Sequence, residues 1–539
     1  MSLGRAGGTP SDLAYRPFRR RVHRGRAATV VRERHPGRAV PSVGVIDIGS
    51  NTARFVAFET SPWGTVRATF ETKDSTRLGL GTSEDGSLSE AAIARGVTTV
   101  RRFSGLVRSL ALPRTLAIAT SAIRDAPNGP AFVREVERAT GVLLRVISGA
   151  EEARYGYLGV ASAWPLENDI VFDLGGGSMQ LAEVRAGALR NSVSLPLGVL
   201  RLSQRFFEHD PPKRREMEEL REHARDALAS TVKAFGGRPY RLFGIGGTVR
   251  SLARAAIELR EYPIRRVHGF PLYDRDIEAL HELLGEMPSA KRRSVPGVGS
   301  DRADVVLAGV VVLEELLRAV GCDRTVVSGT GIREGLALEE IGAKLPVSAE
   351  ELADRSVAAA AGSFGFRLDH SRAVVEAALA LFDLLAPRFE GGPSERLAIR
   401  VAAGMHEAGT AVDLWNHARH SSYLVENYPI WGLEQRETLL AAMATYLHEG
   451  GDPPSEWKRG YLPIVAGREL DLAVRLGALL EVAELTAAAH PRFSLGAGGR
   501  SLAVGFSAGG DTALTPRWLE KARRPMQRVF DLEVRVRDL

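Results

Sequence analysis

The stretch Val171–Leu181, which reads Val-Phe-Asp-Leu-Gly-Gly-Gly-Ser-Met-Gln-Leu, decides the fold. Its first residues are typical of the end of a buried strand, and an apolar run resumes at Met179. Three glycines between two strands let backbone N–H groups approach an anionic ligand closely, most often a phosphate. Asp173 lies beside this turn, and Mg²⁺ binds proteins through one or two carboxylates together with substrate phosphates. The stretch therefore predicts a strand–turn–strand element that holds phosphate and a hydrated cation.

A second copy of this layout lies upstream, at Val43–Val56. In this copy Asp47 matches Asp173 and Gly49 matches Gly175. One copy alone is compatible with an ordinary β-hairpin, because glycine turns are common between antiparallel strands. Two copies with the aspartates in register predict two similar halves that face each other across a cleft, each with a phosphate-binding loop. The loop residues predicted to bind phosphate are Gly49, Ser50, Asn51, Thr52, Gly175, Gly176, Gly177 and Ser178.

Three further motifs narrow the interpretation: Thr120–Asn128 (TSAIRDAPN), Ser148–Arg154 (SGAEEAR) and Gly244–Thr248 (GIGGT). With the paired loops, they resemble the exopolyphosphatase/guanosine pentaphosphate phosphatase (Ppx/GppA) family. That family lies in the superfamily of acetate and sugar kinases, actin and the large heat-shock chaperones (ASKHA). The resemblance implies an α/β fold of two actin-like, ribonuclease H-like half-domains that face a cleft.

The resemblance also assigns roles to single residues. Glu152 is implied as the carboxylate that activates water, and Arg124 as a guanidinium fork for phosphate oxygens. Asp47, Asp173 and Gln180 are implied as the metal-binding residues, with Mg²⁺ or Mn²⁺ as the cofactor. The family usually has Glu where this chain has Gln180, so weaker metal binding is expected. The glycine turn before a predicted helix adds two anion-binding positions, Gly246 and Gly247.

The alternation of strands and helices in the first two thirds of the chain argues for an α/β architecture, and helical periodicity dominates after it. The helical part resembles an HD-like domain. Catalytic HD domains hold metal with a histidine, an adjacent His-Asp pair and a distant Asp, whereas this chain has His406-Glu407. We therefore expect no active metal site there, and expect His417, His420 and His448 to be structural or surface residues. The predicted division is a disordered Arg-rich tail (1–41), actin-like domain I (42–165), actin-like domain II (166–338), an all-α HD-like domain (345–490) and a small C-terminal α/β segment (495–539).

Composition limits the remaining possibilities. The first 40 residues hold ten arginines and two acidic residues, so this tail accounts for the formal net charge of +6. The rest of the chain is nearly neutral, and no specific nucleic-acid partner is expected. The single cysteine fits a reducing, cytoplasmic location. No apolar run approaches the roughly 18 residues of a membrane span, so no membrane partner is expected.

The leading hypothesis is therefore an exopolyphosphatase that hydrolyses terminal phosphoanhydride bonds of inorganic polyphosphate by Mg²⁺-assisted attack of water. Guanosine pentaphosphate is the alternative substrate, and a homodimer is left open. A kinase or ATPase of the same superfamily is a second hypothesis, against which the Ser148–Arg154 motif argues. Gln180 motivates a third, a regulatory protein that binds polyphosphate or guanosine tetraphosphate with little turnover.

Overall fold

The computed structural model describes residues 42–80, 86–237, 239–450, 461, 464, 467–506 and 515–538. The tail predicted to be disordered, residues 1–41, lies outside the described residues. None of the described helices is both long and apolar enough to span a membrane.

The first sheet has five strands in the order β3-β2-β1-β4-β5. β1 pairs antiparallel with β2 and parallel with β4, so the strand that ends at the first loop lies in the middle of the sheet. The strands alternate with helices, as predicted from periodicity, and Ser89 caps the first long helix through its side chain. The elements are β1 (Ser42–Ile48), β2 (Ala53–Thr60), β3 (Val66–Asp74), α1 (Glu90–Ser109), β4 (Arg114–Ala119), α2 (Ser121–Arg124), α3 (Gly129–Thr140), β5 (Leu144–Val146) and α4 (Gly149–Ala161).

The second sheet has six strands in the order β10-β11-β9-β6-β7-β8. Its middle strand β6 pairs antiparallel with β7 and parallel with β9, which repeats the arrangement around β1. The elements are β6 (Ile170–Leu174), β7 (Met179–Arg185), β8 (Ala188–Leu195), α5 (Val199–Phe206), α6 (Arg214–Ala234), β9 (Leu242–Ile245), α7 (Gly246–Leu259), β10 (Pro271–Tyr273), α8 (Asp274–Gly285), α9 (Ser289–Arg292), α10 (Val306–Val320), β11 (Arg324–Val327) and α11 (Ile332–Glu340).

The apolar stripe of Asp301–Val320 in the sequence predicts a helix over this whole stretch, but α10 begins only at Val306. The preceding residues form a turn whose backbone is held by the other half of the molecule: the carbonyl of Asp301 accepts hydrogen bonds from Asn51 Nδ2 at 3.2 Å and from an Arg77 nitrogen at 3.3 Å. These tertiary hydrogen bonds compete with the first helical turn, and they place Arg302 in the cleft.

The described residues between Ala349 and Ala487 are mostly helical, as the periodicity predicted. These helices are α12 (Ala349–Phe364), α13 (Leu368–Leu385), α14 (Pro393–Met405), α15 (His417–Asn427), α16 (Gln435–Leu447) and α17 (Gly467–Ala487). A three-stranded sheet in the order β12-β13-β14 follows. Its elements are β12 (Arg492–Leu495), β13 (Ser501–Phe506), α18 (Thr515–Phe530) and β14 (Glu533–Asp538).

Candidate active site

The two predicted loops occupy equivalent places in the two sheets. In the first hairpin Asp47 pairs with Arg54, and in the second Asp173 pairs with Gln180. Each aspartate thus ends a central strand and faces a long polar residue on the returning strand. The internal repeat seen in the sequence is therefore a repeat of strand register, and Arg54 is the structural counterpart of Gln180.

The turns of the two hairpins are closed in the same way. The N–H of Gly49 donates to Thr52 O at 3.0 Å, and the N–H of Gly175 donates to Ser178 O at 3.1 Å. These two N–H groups therefore stabilise the turns. The backbone amides of the residues between these hydrogen-bonded pairs take no part in either turn bond, and their contact with an anion stays a prediction.

The two loops meet face to face. A Cβ placed on Gly176 would lie 3.3 Å from the Cβ atoms of both Ser50 and Asn51. A Cβ on Gly177 would lie 2.5 Å from the hydroxyls of Ser50 and Ser121, which are themselves 2.9 Å apart. Side chains at these two glycines would hold the loops apart, so their absence allows the close approach.

A cavity of about 110 Å³ lies where the loops meet, and residues of both sheets line it. Asp47 and Asp173 both line it, as the paired-loop hypothesis required. Among the described residues, Arg124, Gly177 and Gln180 are predicted site residues that do not line it. The predicted residues that the cavity brings together are Asp47, Gly49, Ser50, Asn51, Thr52, Glu152, Asp173, Gly175, Gly176, Ser178, Gly246 and Gly247.

The two aspartates of the cavity are half-buried, and they lie close enough for their charges to interact. Burial raises the pKa of Asp47, although Arg333 and Arg54 oppose this rise. Burial raises the pKa of Asp173 to about 6; Arg250 opposes the rise and the Asp47 carboxylate adds to it. The two aspartates therefore interact electrostatically, and a cation placed beside them would stabilise their charged forms.

Glu151 and Glu152 both lie in the first turn of α4, but the structure gives them different surroundings. Glu151 completes a capping box, accepting hydrogen bonds from the backbone N–H and the hydroxyl of Ser148 at 2.8 and 2.9 Å. Glu152 lines the cavity and is only 6% exposed. Burial, and then the charge of Asp173, raise the pKa of Glu152 to about 8. Glu151 therefore stabilises the helix end, and Glu152 is the carboxylate that faces the cleft.

The side chain of Arg124 contacts Glu152 directly. Its Nη1 donates to Glu152 Oε2 at 3.0 Å and to the carbonyl of Ile147 at 3.2 Å, and its Nε donates to Asp125 Oδ1 at 3.2 Å. In this structure the guanidinium orients the buried glutamate, and its predicted contact with phosphate remains a prediction.

Gln180 is buried directly behind the second loop. Its Nε2 donates to Ser178 Oγ at 2.8 Å and to Ser194 Oγ at 2.9 Å. Its Oε1 is buried and has no hydrogen-bond partner in the part of the chain that the structure describes. An unpaired buried carbonyl oxygen is costly unless a ligand or water satisfies it. Gln180 thus keeps one carbonyl oxygen available as a ligand atom two residues beyond the loop, although the residue does not line the cavity.

The glycine turn at the end of β9 approaches the second aspartate closely. Gly246 has φ +91°, and a Cβ there would lie 2.3 Å from Asp173 Oδ1. Only glycine accommodates both the left-handed backbone and this contact. The neighbouring Gly247 packs against Arg302, because a Cβ there would lie 2.0 Å from the guanidinium. The turn therefore brings the buried guanidinium of Arg302 beside Asp173.

Sequence reasoning missed the arginines of the cleft. Arg302 and Arg333 are each only 8% exposed, and burial lowers the pKa of Arg250 and of Arg302 to about 10, so both stay charged at neutral pH. The sequence does indicate a position near a loop for three of them, because Arg250, Arg302 and Arg333 each follow a glycine by two or three residues. The cleft arginines are Arg54, Arg250, Arg302 and Arg333.

A wider cavity of about 530 Å³ continues from the cleft and shares some of its residues, namely Arg54, Gly247, Arg250 and Arg302. Cationic side chains outnumber anionic ones along it. The cationic residues are Arg54, Lys73, Arg250, Arg254 and Arg302, and the anionic residues are Glu71 and Asp301. We call this extension the basic groove.

The chain is similar to known phosphatases over most of its length. A family profile described as Ppx/GppA phosphatase family matches residues 60–344, and one described as Ppx/GppA phosphatase, domain III matches residues 352–454. Exopolyphosphatase 1 of Mycobacterium tuberculosis is 29% identical over 306 residues, which cover 56% of this chain and 88% of that protein.

A guanosine-5'-triphosphate,3'-diphosphate pyrophosphatase of Aeromonas hydrophila is 26% identical over 484 residues, which cover 87% of this chain and 93% of that protein. The solved structure of an exopolyphosphatase from Cytophaga hutchinsonii superposes with a TM-score of 0.53 at 26% identity, covering 56% of this chain and 99% of that one. The mixed α/β, actin-like fold class predicted for the two sheets is thereby confirmed. Since the first profile matches more than half of the chain, the protein belongs to the Ppx/GppA phosphatase family.

Proposed function

We propose that this protein is an exopolyphosphatase that removes terminal phosphate from inorganic polyphosphate by attack of water in the cleft. The broader enzyme class, a phosphoanhydride hydrolase, is confirmed by the family and by the relatives named exopolyphosphatase and pyrophosphatase. The terminal phosphate would be cradled by the amides of the two facing loops. Water as the acceptor requires no covalent intermediate with the protein.

Glu152 is proposed as the general base. It is the one predicted base among the cavity-lining residues, and it is buried beside the aspartates. A base positioned within hydrogen-bond reach of the attacking water accelerates such a reaction by about 10²–10⁴-fold. Arg124 is proposed as a positioning residue, because its hydrogen bond fixes one Glu152 oxygen at 3.0 Å. The other oxygen is left to take the proton; because burial raises the pKa of Glu152 to about 8, the ionised form that acts as the base increases as the pH rises towards 8.

The carboxylates of the cleft fit a divalent cation with a preference for oxygen ligands, Mg²⁺ or Mn²⁺. Asp47 and Asp173 are half-buried in the same cavity, and the charge of Asp47 adds to the rise of the Asp173 pKa. They would hold the ion, with Gln180 Oε1 as an indirect oxygen donor behind the loop. When bound, the ion neutralises charge that develops on the phosphoryl oxygens.

The basic groove is the observation that favours polyphosphate. A substrate anchored by its end in the cleft needs a path for the rest of a long polyanion, and the groove continues from the cleft with an excess of cationic side chains. Arginine guanidinium groups bind phosphate oxygens in a bidentate manner. Arg250 and Arg302, which line both cavities, would contact the phosphates next to the terminal one.

Guanosine pentaphosphate is the second candidate substrate. The Aeromonas relative named for that class of nucleotide aligns with 87% of this chain, whereas the mycobacterial exopolyphosphatase aligns with 56%. A regulatory protein with little turnover is the third candidate, because Gln180 replaces a charged ligand.

The domain limits at 42–165, 166–338, 345–490 and 495–539 are part of the same proposal. The helices between residues 349 and 487 support an HD-like third domain, and the matched profile of domain III supports its place after the phosphatase core. A cytoplasmic location and a homodimer also remain proposals.

A substrate panel tests the proposed function. Long-chain polyphosphate, guanosine pentaphosphate and ATP are each supplied with Mg²⁺ or Mn²⁺, and released phosphate is measured. We expect polyphosphate to give the highest kcat/KM. A higher value with guanosine pentaphosphate would favour the second candidate, and tight binding of polyphosphate without release would favour the third.

A further inference from the structure

Six side chains from five segments of the helical region converge at one place, which we call the histidine cluster: His370, His406, Glu407, His417, His448 and Glu484. They are contributed by α13, by the residues that directly follow α14 and α16, by the start of α15 and by α17. None of the six lines the cleft cavity. The cluster is therefore a second polar centre, built by long-range packing.

The cluster consists of two triads with the donor spacing of a metal site. One nitrogen or oxygen from each of His370, His406 and Glu407 lies within 4.8 Å of the others, and the same holds for His417, His448 and Glu484. The triads adjoin, because the rings of His406 and His448 are 5.9 Å apart. Two imidazoles and one carboxylate converge in each triad, which leaves open coordination positions.

The two innermost imidazoles each present a buried Nε2 to the other members of the cluster. His406 Nδ1 lies 2.7 Å from the carbonyl of Ala403, and His448 Nδ1 lies 2.5 Å from the carbonyl of Thr445. A carbonyl can only accept, so Nδ1 carries the proton in both rings and Nε2 carries the lone pair. Among the described residues neither Nε2 has a hydrogen-bond partner, although His406 is 0% and His448 1% exposed; His448 Nε2 lies 3.3 Å from Glu484 Oε2 without forming a hydrogen bond.

This arrangement is the one found around metal-binding histidines, in which one ring nitrogen donates to a carbonyl and the other binds the ion. Burial lowers the pKa of both His406 and His448. A buried polar atom without a partner is otherwise unfavourable by about 1–3 kcal/mol. Two such atoms in one cluster of carboxylates and imidazoles therefore indicate a ligand.

We propose that the histidine cluster binds at least one divalent transition-metal ion of the Zn²⁺, Mn²⁺ or Fe²⁺ type. Imidazole suits these ions, whereas Mg²⁺ prefers oxygen ligands throughout. The ion would be held by Nε2 of His406 and His448 together with the carboxylate of Glu407 or Glu484. Because its ligands come from separate helices, the bound ion would also tie these helices together and stabilise the folded region.

The sequence pattern predicted no active metal site in this domain. The chain lacks the adjacent His-Asp pair of catalytic HD domains, and the histidines are spread from position 370 to position 448. The side-chain positions supply what the pattern does not, namely that Glu407 lies within reach of two histidines and that Glu484 is the distant carboxylate.

Metal retention tests this proposal separately from phosphate release. The full-length protein is stripped with a chelator, supplied with millimolar Mg²⁺ to occupy oxygen-rich sites, and titrated with Zn²⁺ or Co²⁺. Metal that stays bound after gel filtration is quantified by mass spectrometry, and the visible spectrum of Co²⁺ reports nitrogen coordination. We expect at least one tightly held Zn²⁺ per chain, together with a higher unfolding temperature.

The double variant His406→Asn/His448→Asn should lose Zn²⁺ affinity by more than about 100-fold, the upper range for loss of a mere outer-shell partner. His490→Asn is the matched control, because His490 is exposed and outside the cluster; it should bind Zn²⁺ like the wild type. If the double variant does not fold, His417→Asn/Glu484→Gln, which alters more exposed members, decides by the same measurement. A wild type without retained Zn²⁺, or a folded variant that binds like the wild type, would overturn the proposal.

Discussion

The cleft and the histidine cluster are both lined by carboxylates, but the other polar groups that line them differ. The cleft adds arginine side chains, loop hydroxyls and backbone amides, whereas the cluster adds four imidazoles. Oxygen donors with cationic neighbours suit Mg²⁺ and phosphate, and imidazole suits transition metals. Two regions of one chain are thus built for different ions, and the donor type predicts which ion belongs to which region.

The two regions also differ in how their residues are distributed along the chain. The cleft is assembled from short contiguous motifs, each of which positions its own loop by local turn chemistry. The cluster takes its members from helices separated by long stretches of sequence, so tertiary packing alone defines it. Variants in each region should therefore affect one function and leave the other intact.

Glu152→Gln should give the largest effect. Phosphate release from polyphosphate should fall by about 10²–10⁴-fold, because the variant cannot accept a proton, while polyphosphate binding and Zn²⁺ retention persist. Glu151→Gln is the matched control, since Glu151 caps α4 and does not line the cleft; it should retain most of the activity. Equal losses in the two variants would remove the base assignment from Glu152.

Asp173→Asn should give the second largest effect, because it weakens the binding of the cation in the cleft and leaves the histidine cluster unchanged. Loss of one unit charge about 4 Å from an ion changes their interaction by up to about 4 kcal/mol at an effective dielectric of 20. The Mg²⁺ concentration for half-maximal activity should rise steeply, and Zn²⁺ bound at the histidine cluster should remain. A parallel loss of Zn²⁺ would show that the two regions are not independent.

Arg302→Met should weaken the binding of polyphosphate. A hydrogen bond to a charged group contributes about 1.5–3 kcal/mol, so KM should rise by about one to two orders of magnitude with a smaller change in kcat. Arg190→Met is the control, because Arg190 is exposed on β8 and does not line the basic groove. Unchanged KM values for long-chain polyphosphate would argue against the basic groove as the substrate path.

Gln180→Glu should give the smallest effect, and this effect should be tighter binding of Mg²⁺. The new carboxylate would accept hydrogen bonds from the hydroxyls of Ser178 and Ser194, and its charge would attract the cation. We expect the Mg²⁺ concentration for half-maximal activity to fall several-fold. Gln204→Glu is the control, because Gln204 is an exposed residue of α5, and it should leave this concentration unchanged. If the wild type is inert and only Gln180→Glu turns over substrate, the regulatory hypothesis is correct.

Much of the cleft could be predicted from the sequence because its determinants are local. A strand, an aspartate and a small-residue turn specify a hairpin wherever they occur, and two copies in register indicated the cleft. The structure places both aspartates and most loop residues in one cavity. The Arg124 and Gln180 assignments concern contacts of side chains with ligands, and these stay predictions.

The arginines and the histidine cluster could not be predicted, because each depends on contacts between distant segments. Arg302 lines the cleft from a turn, in which hydrogen bonds from Asn51 and Arg77 hold the carbonyl of residue 301, where periodicity predicted a helix. The short strand Pro271–Tyr273 was missed for a similar reason, since it is defined by pairing with β11 rather than by its own pattern.

The account depends on water attacking the terminal phosphorus in the cleft, and hydrolysis in ¹⁸O-labelled water tests this directly. Long-chain polyphosphate and Mg²⁺ are supplied with no other acceptor, and the released phosphate is analysed by mass spectrometry. We predict one ¹⁸O atom in each phosphate released by the wild type and no comparable release by Glu152→Gln. Phosphate without the label, or release that requires a nucleotide acceptor, would contradict the account.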